Sequence, residues 1–194
     1  LPAQQSKPSQ HKNPNQTFDL LIKPFKHPPN KPLTNTQVKR QMSEYDKDAL
    51  DKFQQSGKIL RETREQIKTF VQEGTPIIEI CEKAENLIRE KGGKPAFPCN
   101  VSINEIAAHY TSPPEDMKRI PNDSVVKVDI GAHVDGYVTD TAVTICFGQE
   151  HKIMANTAEQ ALKTAIENIR PEMSTSKLGA TIERTIKSRG FKPI

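Results

Sequence analysis

Two aspartates stand where the sequence is densest in strand-forming residues. Asp129 lies in the run Val125-Val126-Lys127-Val128-Asp129-Ile130-Gly131, and Asp140 in Gly136-Tyr137-Val138-Thr139-Asp140-Thr141-Ala142-Val143. Strand interiors disfavour aspartate, so a carboxylate there calls for a reason. The two runs flank Val134-Asp135-Gly136, and Asp-Gly between alternating apolar segments is a strong hairpin signal. If Val134 pairs with Tyr137, Asp129 faces Ala142 and Asp140 lies one diagonal away on the same face. Like charges placed so repel unless one is protonated or a cation bridges them, and hard divalent ions are the ordinary oxygen-bound solution. From pattern alone, this metal pair stands beside a plainer reading in which one aspartate serves the turn and the other faces water. Asp135 reads as a turn residue, and His133 and His151 as surface histidines. His109 ends the segment Ser102-Ile103-Asn104-Glu105-Ile106-Ala107-Ala108-His109. By residue type it is either a satisfied structural histidine or a group that binds or acts on substrate.

The elements that must position these groups follow from periodicity. From Ser43, Leu50, Phe53, Leu60, Ile67 and Phe70 recur at helical spacing, which predicts an amphipathic helix of about six turns ending at Gly74. Thr75-Pro76 reads as an N-cap and first helical proline. Ile77, Ile80, Cys81, Ala84, Leu87 and Ile88 then share one face, and Gly92-Gly93 supplies the stop. These two helices are expected to pack as an antiparallel pair. Residues 96–109 read as extended and 111–122, with Pro113, Pro114 and Pro121, as a loop. The hairpin comes next, over 124–133 and 137–147. A third helix is expected over about 151–170, and a fourth, opened by Ser174-Thr175-Ser176, runs to Gly190. The order amounts to one and a half copies of a helix-pair-and-strands unit, an α+β arrangement in which helix pairs cover one face of a sheet.

Composition bounds what the rest of the chain does. The 194 residues are 34% hydrophobic with 15 prolines and no tryptophan, lean for one full core. Net charge is +4, and before residue 42 seven Lys or Arg face one acid, Asp19, among seven prolines and many Gln and Asn. Residues 1–42 are therefore read as a disordered basic tail, able to contact a ribosome or RNA through its charge. The chain opens on Leu1 and closes on Ile194, and is read as part of a longer protein. Cys81, Cys99 and Cys146 lack paired or finger-like spacing, which argues against a disulfide framework or zinc knuckle. No stretch approaches 18 apolar residues and no signal pattern opens the chain, so a cytoplasmic protein without membrane contact is expected, with monomer as the default.

The run Gly92-Gly93-Lys94-Pro95-Ala96-Phe97-Pro98-Cys99-Asn100-Val101-Ser102-Ile103-Asn104-Glu105-Ile106-Ala107-Ala108-His109-Tyr110-Thr111 resembles the substrate-site segment of type II methionine aminopeptidases. Residues 128–144 resemble that family's first metal-ligand hairpin, and the likeness covers 43–194, read as the N-terminal part of the catalytic domain. The resemblance implies the pita-bread fold, with only its first half and the start of its second half present. It implies two divalent ions (Co, Mn, Fe or Zn), with Asp129 chelating one and Asp140 bridging both. His109 would hydrogen-bond substrate at the scissile amide, and Phe97 would line the methionine pocket. The implied reaction is metal-assisted hydrolysis of the first peptide bond of nascent polypeptides bearing an N-terminal methionine. The family's remaining ligands, one His and two Glu, find no match here, so the segment alone is expected to be inactive and to expose a strand edge. An X-Pro peptidase of the same fold, and a non-catalytic ribosome- or RNA-binding relative, are the competing readings.

Overall fold

The computed structural model describes residues 35–193, with side chains from 47 to 193. Of the tail expected over 1–42, residues 1–34 lie outside the described residues. The first helix, α1 (Asn35–Phe70), begins eight residues ahead of the expected Ser43. The segment Asn35-Thr36-Gln37-Val38-Lys39-Arg40-Gln41-Met42 has no apolar period but also no proline or glycine, and Gln, Lys, Arg and Met propagate a helix readily. Helix α2 (Ile77–Glu90) follows a tight connection. Pro76 is its N-cap rather than its first residue. The Thr75 hydroxyl looks backwards instead, accepting from the Gln72 N–H at 3.1 Å. At the other end Gly92, with φ +86°, lets its own N–H reach Arg89 and the Gly93 N–H reach Ile88, both at 3.0 Å, a Schellman closure. The Lys91 ammonium lies 3.1 Å from Glu62, so α2 ends beside the C-terminal half of α1 and the pair runs antiparallel.

Four strands form one antiparallel sheet: β1 (Lys94–Pro95), β2 (Asn100–Ile103), β3 (Val125–Val134) and β4 (Tyr137–Cys146). β3 is central, pairing β1 and β2 on one side and β4 on the other. Of the expected extended stretch 96–109 only the four residues of β2 are strand, and β1 lies just ahead of it. Pro95 and Pro98 cannot donate to a ladder, and Asn104 turns the chain with φ +50°. The turn after β3 is the two-residue Asp135-Gly136 with φ +50° and +88°, the type I′ geometry that suits the twist of a hairpin. Helices α3 (Lys152–Asn168) and α4 (Thr175–Lys187) pack on each other. The Ser174 hydroxyl caps α4 by accepting from the Lys177 N–H at 3.3 Å. The architecture is α+β, as the periodicity implied.

The core lies between the helix pair and one face of the sheet: Ile59, Leu60, Ile67 and Val71 of α1 and its exit meet Ile77, Ile80, Ala84 and Ile88 of α2, and Val126, Val128, Ile130 and Ala132 of β3. The buried stripe of α1 differs from the expected one. Leu50 and Phe53 are 55% and 44% exposed, whereas Ser56 and Thr63 are fully buried. Ser56 earns its place by donating to the Ala132 carbonyl at 3.0 Å and sharing a hydrogen bond of 2.7 Å with Thr139. An apolar-only reading of helical period passes over such hydroxyls. The Thr63 hydroxyl is buried with no hydrogen-bond partner among the described residues. An unpaired buried hydroxyl costs stability, and valine keeps the shape without it. Thr63→Val is therefore expected to raise unfolding free energy by about 1 kcal/mol, read as a higher urea midpoint; a lower midpoint would mean that the hydroxyl is satisfied.

Candidate metal centre

The hairpin register fixes which side chains share a face. Val134 pairs with Tyr137, Asp129 with Ala142 and Gly131 with Asp140. Because side chains alternate along a strand, the even-numbered residues of β3 face the core, and Lys127, Asp129 and Gly131 point the other way together with Asp140, Ala142 and Thr144 of β4. Asp129 is half-buried and Asp140 exposed. Their carboxyls converge: Asp140 is held above the ordinary carboxylate range, first by partial desolvation, then by the charge of Asp129 and a hydrogen bond between the two side chains. Two oxygen-donor groups that cannot both ionise without cost have the donor chemistry that fits a hard divalent ion. Among the described residues, no group of three or more His, Cys, Asp or Glu could hold an ion, and the two carboxylates stand on this face without a third such group.

The sign of this electrostatic cost gives a test. A carboxyl whose folded-state pKa is raised destabilises the fold above that pKa and not below its unfolded value, 3.8. Metal-free Asp140→Asn is therefore expected to melt above the metal-free parent at neutral pH. The gap should close as pH falls through the raised pKa and vanish below 3.8. A pH-independent gap would assign the difference to packing instead.

Asp129 has a partner that the sequence reading did not assign. Asn100, opposite it on β2, donates from Nδ2 to Oδ2 of Asp129 at 3.3 Å. Asn100 is oriented in turn by the Thr111 hydroxyl, which donates to its Oδ1 at 2.6 Å. The clue was present, since asparagine is as ill-suited to strand interiors as aspartate. Partners of this kind typically matter 10–100-fold to metal affinity or activity. Asn100→Ala is expected to weaken divalent-ion binding by roughly tenfold or more, read by competition with a metal-sensitive dye; affinity equal to the parent would remove Asn100 from the site.

Phe97 sits against the same face. Its ring lies over Gly131, so near that a Cβ on residue 131 would stand 2.2 Å from ring atom Cε1. Since Gly131 pairs with Asp140, the half-buried ring borders the carboxylate pair. His109 is exposed on the loop after β2 and takes φ +65°, a left-handed conformation uncommon outside glycine. It stands two residues before Thr111, so its loop returns to Asn100. His133 and His151 are half-buried, not fully on the surface: His133 Nδ1 accepts from the Gly136 N–H at 3.1 Å, and His151 lies 3.2 Å from Glu150. Asp135 is an exposed turn residue, 3.3 Å from Lys52. Cys81 and Cys99 are buried free thiols and Cys146 is half-buried.

The sequence pattern of metallopeptidase family M24 matches residues 51–194. The chain belongs to that family. This M24 chain is 46% identical over 144 residues to the methionine aminopeptidase of Methanocaldococcus jannaschii, an alignment covering 74% of this chain and 49% of that protein. It spans about half the length of the curated relatives it matches. In three dimensions it is similar to the methionine aminopeptidase of Thermotoga maritima, at 24% identity and a TM-score of 0.70, covering 75% of this chain and 62% of that one. It also resembles the prolidase from Pyrococcus furiosus, again at 24% identity, with a TM-score of 0.65 over 74% of this chain and 44% of that one. The fold is the pita-bread α+β fold of M24 enzymes.

Proposed function

We propose that this chain carries the first metal-ligand hairpin and part of the substrate pocket of a methionine aminopeptidase, of type II, which removes the initiator methionine from nascent polypeptides. The observation that carries the reading is the convergence of Asp129 and Asp140 on one face, beside the ring of Phe97. The 46% identity to an archaeal methionine aminopeptidase supports it over an X-Pro peptidase, whose fold is shared. The type II assignment rests on the 92–111 segment, and archaeal relatives are consistent with it.

In this reading Asp129 and Asp140 hold two divalent ions, of Mn, Fe, Co or Zn, and Asn100 keeps Asp129 turned toward them. When bound, such ions supply Lewis-acid polarisation of the first peptide carbonyl and an acidified water. Phe97 packs on the methionine side chain, and His109 donates or accepts at the scissile amide. Two carboxylates hold a pair of ions weakly, so activity is assigned to the full-length protein and residues 1–194 alone are expected to be inactive. A cytoplasmic monomer, with ribosome contact through the basic residues of 1–42, completes the proposal.

The test is methionine release from Met-Ala-Ser by the full-length protein, stripped with EDTA and then given Mn or Co, beside cleavage of Ala-Pro. Release only with metal is expected. Cleavage of Ala-Pro in place of Met-Ala-Ser would select the X-Pro reading, and no release with any metal would select a non-catalytic binding relative.

A further inference from the structure

The segment carrying His109 has few anchors of its own. Residues 104–109 are all exposed, and the loop both opens and closes on left-handed residues, Asn104 at φ +50° and His109 at φ +65°. Non-glycine residues adopt that conformation at a cost, and they keep it only where surrounding contacts hold them. Inside the loop the Ile106 N–H donates to the Ile103 carbonyl at 3.0 Å, and the contacts that tie it to β2 and β3 are at the two ends.

At the entry, Asn104 is bound to β3 three times. Its N–H donates to the Val125 carbonyl at 2.9 Å, its side-chain oxygen accepts from the Val125 N–H at 3.0 Å, and its carbonyl accepts from the Lys127 ammonium at 2.9 Å. At the exit, the Tyr110 N–H donates to the Ser102 hydroxyl at 3.4 Å, and the Tyr110 carbonyl accepts from the Val101 N–H at 2.8 Å. Ser102 and Lys127 are direct partners in the β2–β3 register. They lie on the same face as Asn100 and Asp129, the next pair along that face.

We infer that Ser102 and Lys127, facing each other across β2 and β3, clamp the two ends of the 104–110 loop and thereby set where His109 stands relative to Asp129. The inference rests on the proposed role of His109. Lys127 is half-buried and lies two residues from Asp129, which would suit a counter-charge, but its ammonium is committed to the Asn104 carbonyl. Its part is positional: it ties a loop to the strand that also carries a ligand, so the two halves of the site move as one body. Precise placement of a group that contacts the reacting amide can be worth about 100-fold in rate for a displacement of about 1 Å.

The variant Lys127→Met keeps most of the stem and loses the donor, and Lys127→Arg restores one. In the full-length protein, Lys127→Met is expected to speed amide hydrogen exchange over 104–110 at least tenfold. It should lower kcat for Met-Ala-Ser by about tenfold to 100-fold, with KM and metal content unchanged, and Lys127→Arg should recover most of both. Exchange at the parent rate would overturn the clamp. So would faster exchange with an unchanged kcat, or a loss of metal and melting temperature together with kcat, which would mark Lys127 as a general structural residue. If the parent releases no methionine with any metal, the proposed function fails, and the exchange measurement alone decides the clamp.

Discussion

Asp140→Ala is expected to reduce methionine release by the full-length protein by more than 100-fold while leaving its melting temperature within a few degrees. The two halves of that result have different origins. Asp140 is an exposed position of β4 on the face turned away from the core, so its side chain contributes little to folding, and in the metal-free protein its charge is a cost. Its chemistry lies in its neighbour. The register puts it opposite Gly131 and diagonal to Asp129, close enough for the two carboxyls to hydrogen-bond. Removing either halves the carboxylate charge that this hairpin would bring to two divalent ions. Loss of a direct ligand should exceed the roughly 10–100-fold effect of an outer partner such as Asn100. The check is kcat/KM for Met-Ala-Ser with saturating Mn, beside the metal content of the purified variant. Activity within tenfold of the parent, with full metal content, would show that Asp140 is not a ligand.

Gly131→Val sets two physical rules against each other. By strand propensity alone, valine in the centre of β3 should stabilise the sheet, because β-branched residues suit extended backbone and glycine does not. The tertiary structure reverses the sign. A Cβ at residue 131 would stand 2.2 Å from Cε1, 2.7 Å from Cδ1 and 2.8 Å from Cζ of Phe97, so the ring must leave. Overpacking of this kind costs about 1–3 kcal/mol, and here it also pushes out the side chain proposed to receive methionine. The expected result is a lower melting temperature and at least a tenfold loss of kcat/KM on Met-Ala-Ser, about 1.4 kcal/mol. The double variant Gly131→Val with Phe97→Ala separates the effects: stability should return in part, since the clash is gone, while kcat/KM stays low. A stabilised, fully active Gly131→Val protein would mean that the ring does not lie where it is placed.

Much of the site was legible in the chain itself. The Asp135-Gly136 turn admits only one tight hairpin, and with the turn fixed, a period of two puts Asp129 and Asp140 on one face by counting. The same holds for α2, whose six core residues repeat at helical spacing between a proline and a glycine pair. These are local facts, set by backbone sterics and by side-chain direction within a few residues. The fold class followed from the order of such elements.

Other features depended on parts of the chain that meet only after folding. Asn100 and Asp129 are 29 residues apart, and their hydrogen bond exists because β2 pairs with β3 in one register among several that sequence allows. Ser56 and Thr63 look like surface residues of α1 until the sheet closes over them, 76 residues away in the case of Ser56 and Ala132. Phe97 needed Gly131, and neither residue announces the other. His109 takes a left-handed conformation because both ends of its loop are tied to strands, a constraint that no local propensity encodes. Sequence determined the hairpin and the two carboxylates it presents, because turns and periodicity act over short range. The tertiary structure alone decided what surrounds them, because contacts between distant segments are chosen by the packing of the whole and not by any one of them.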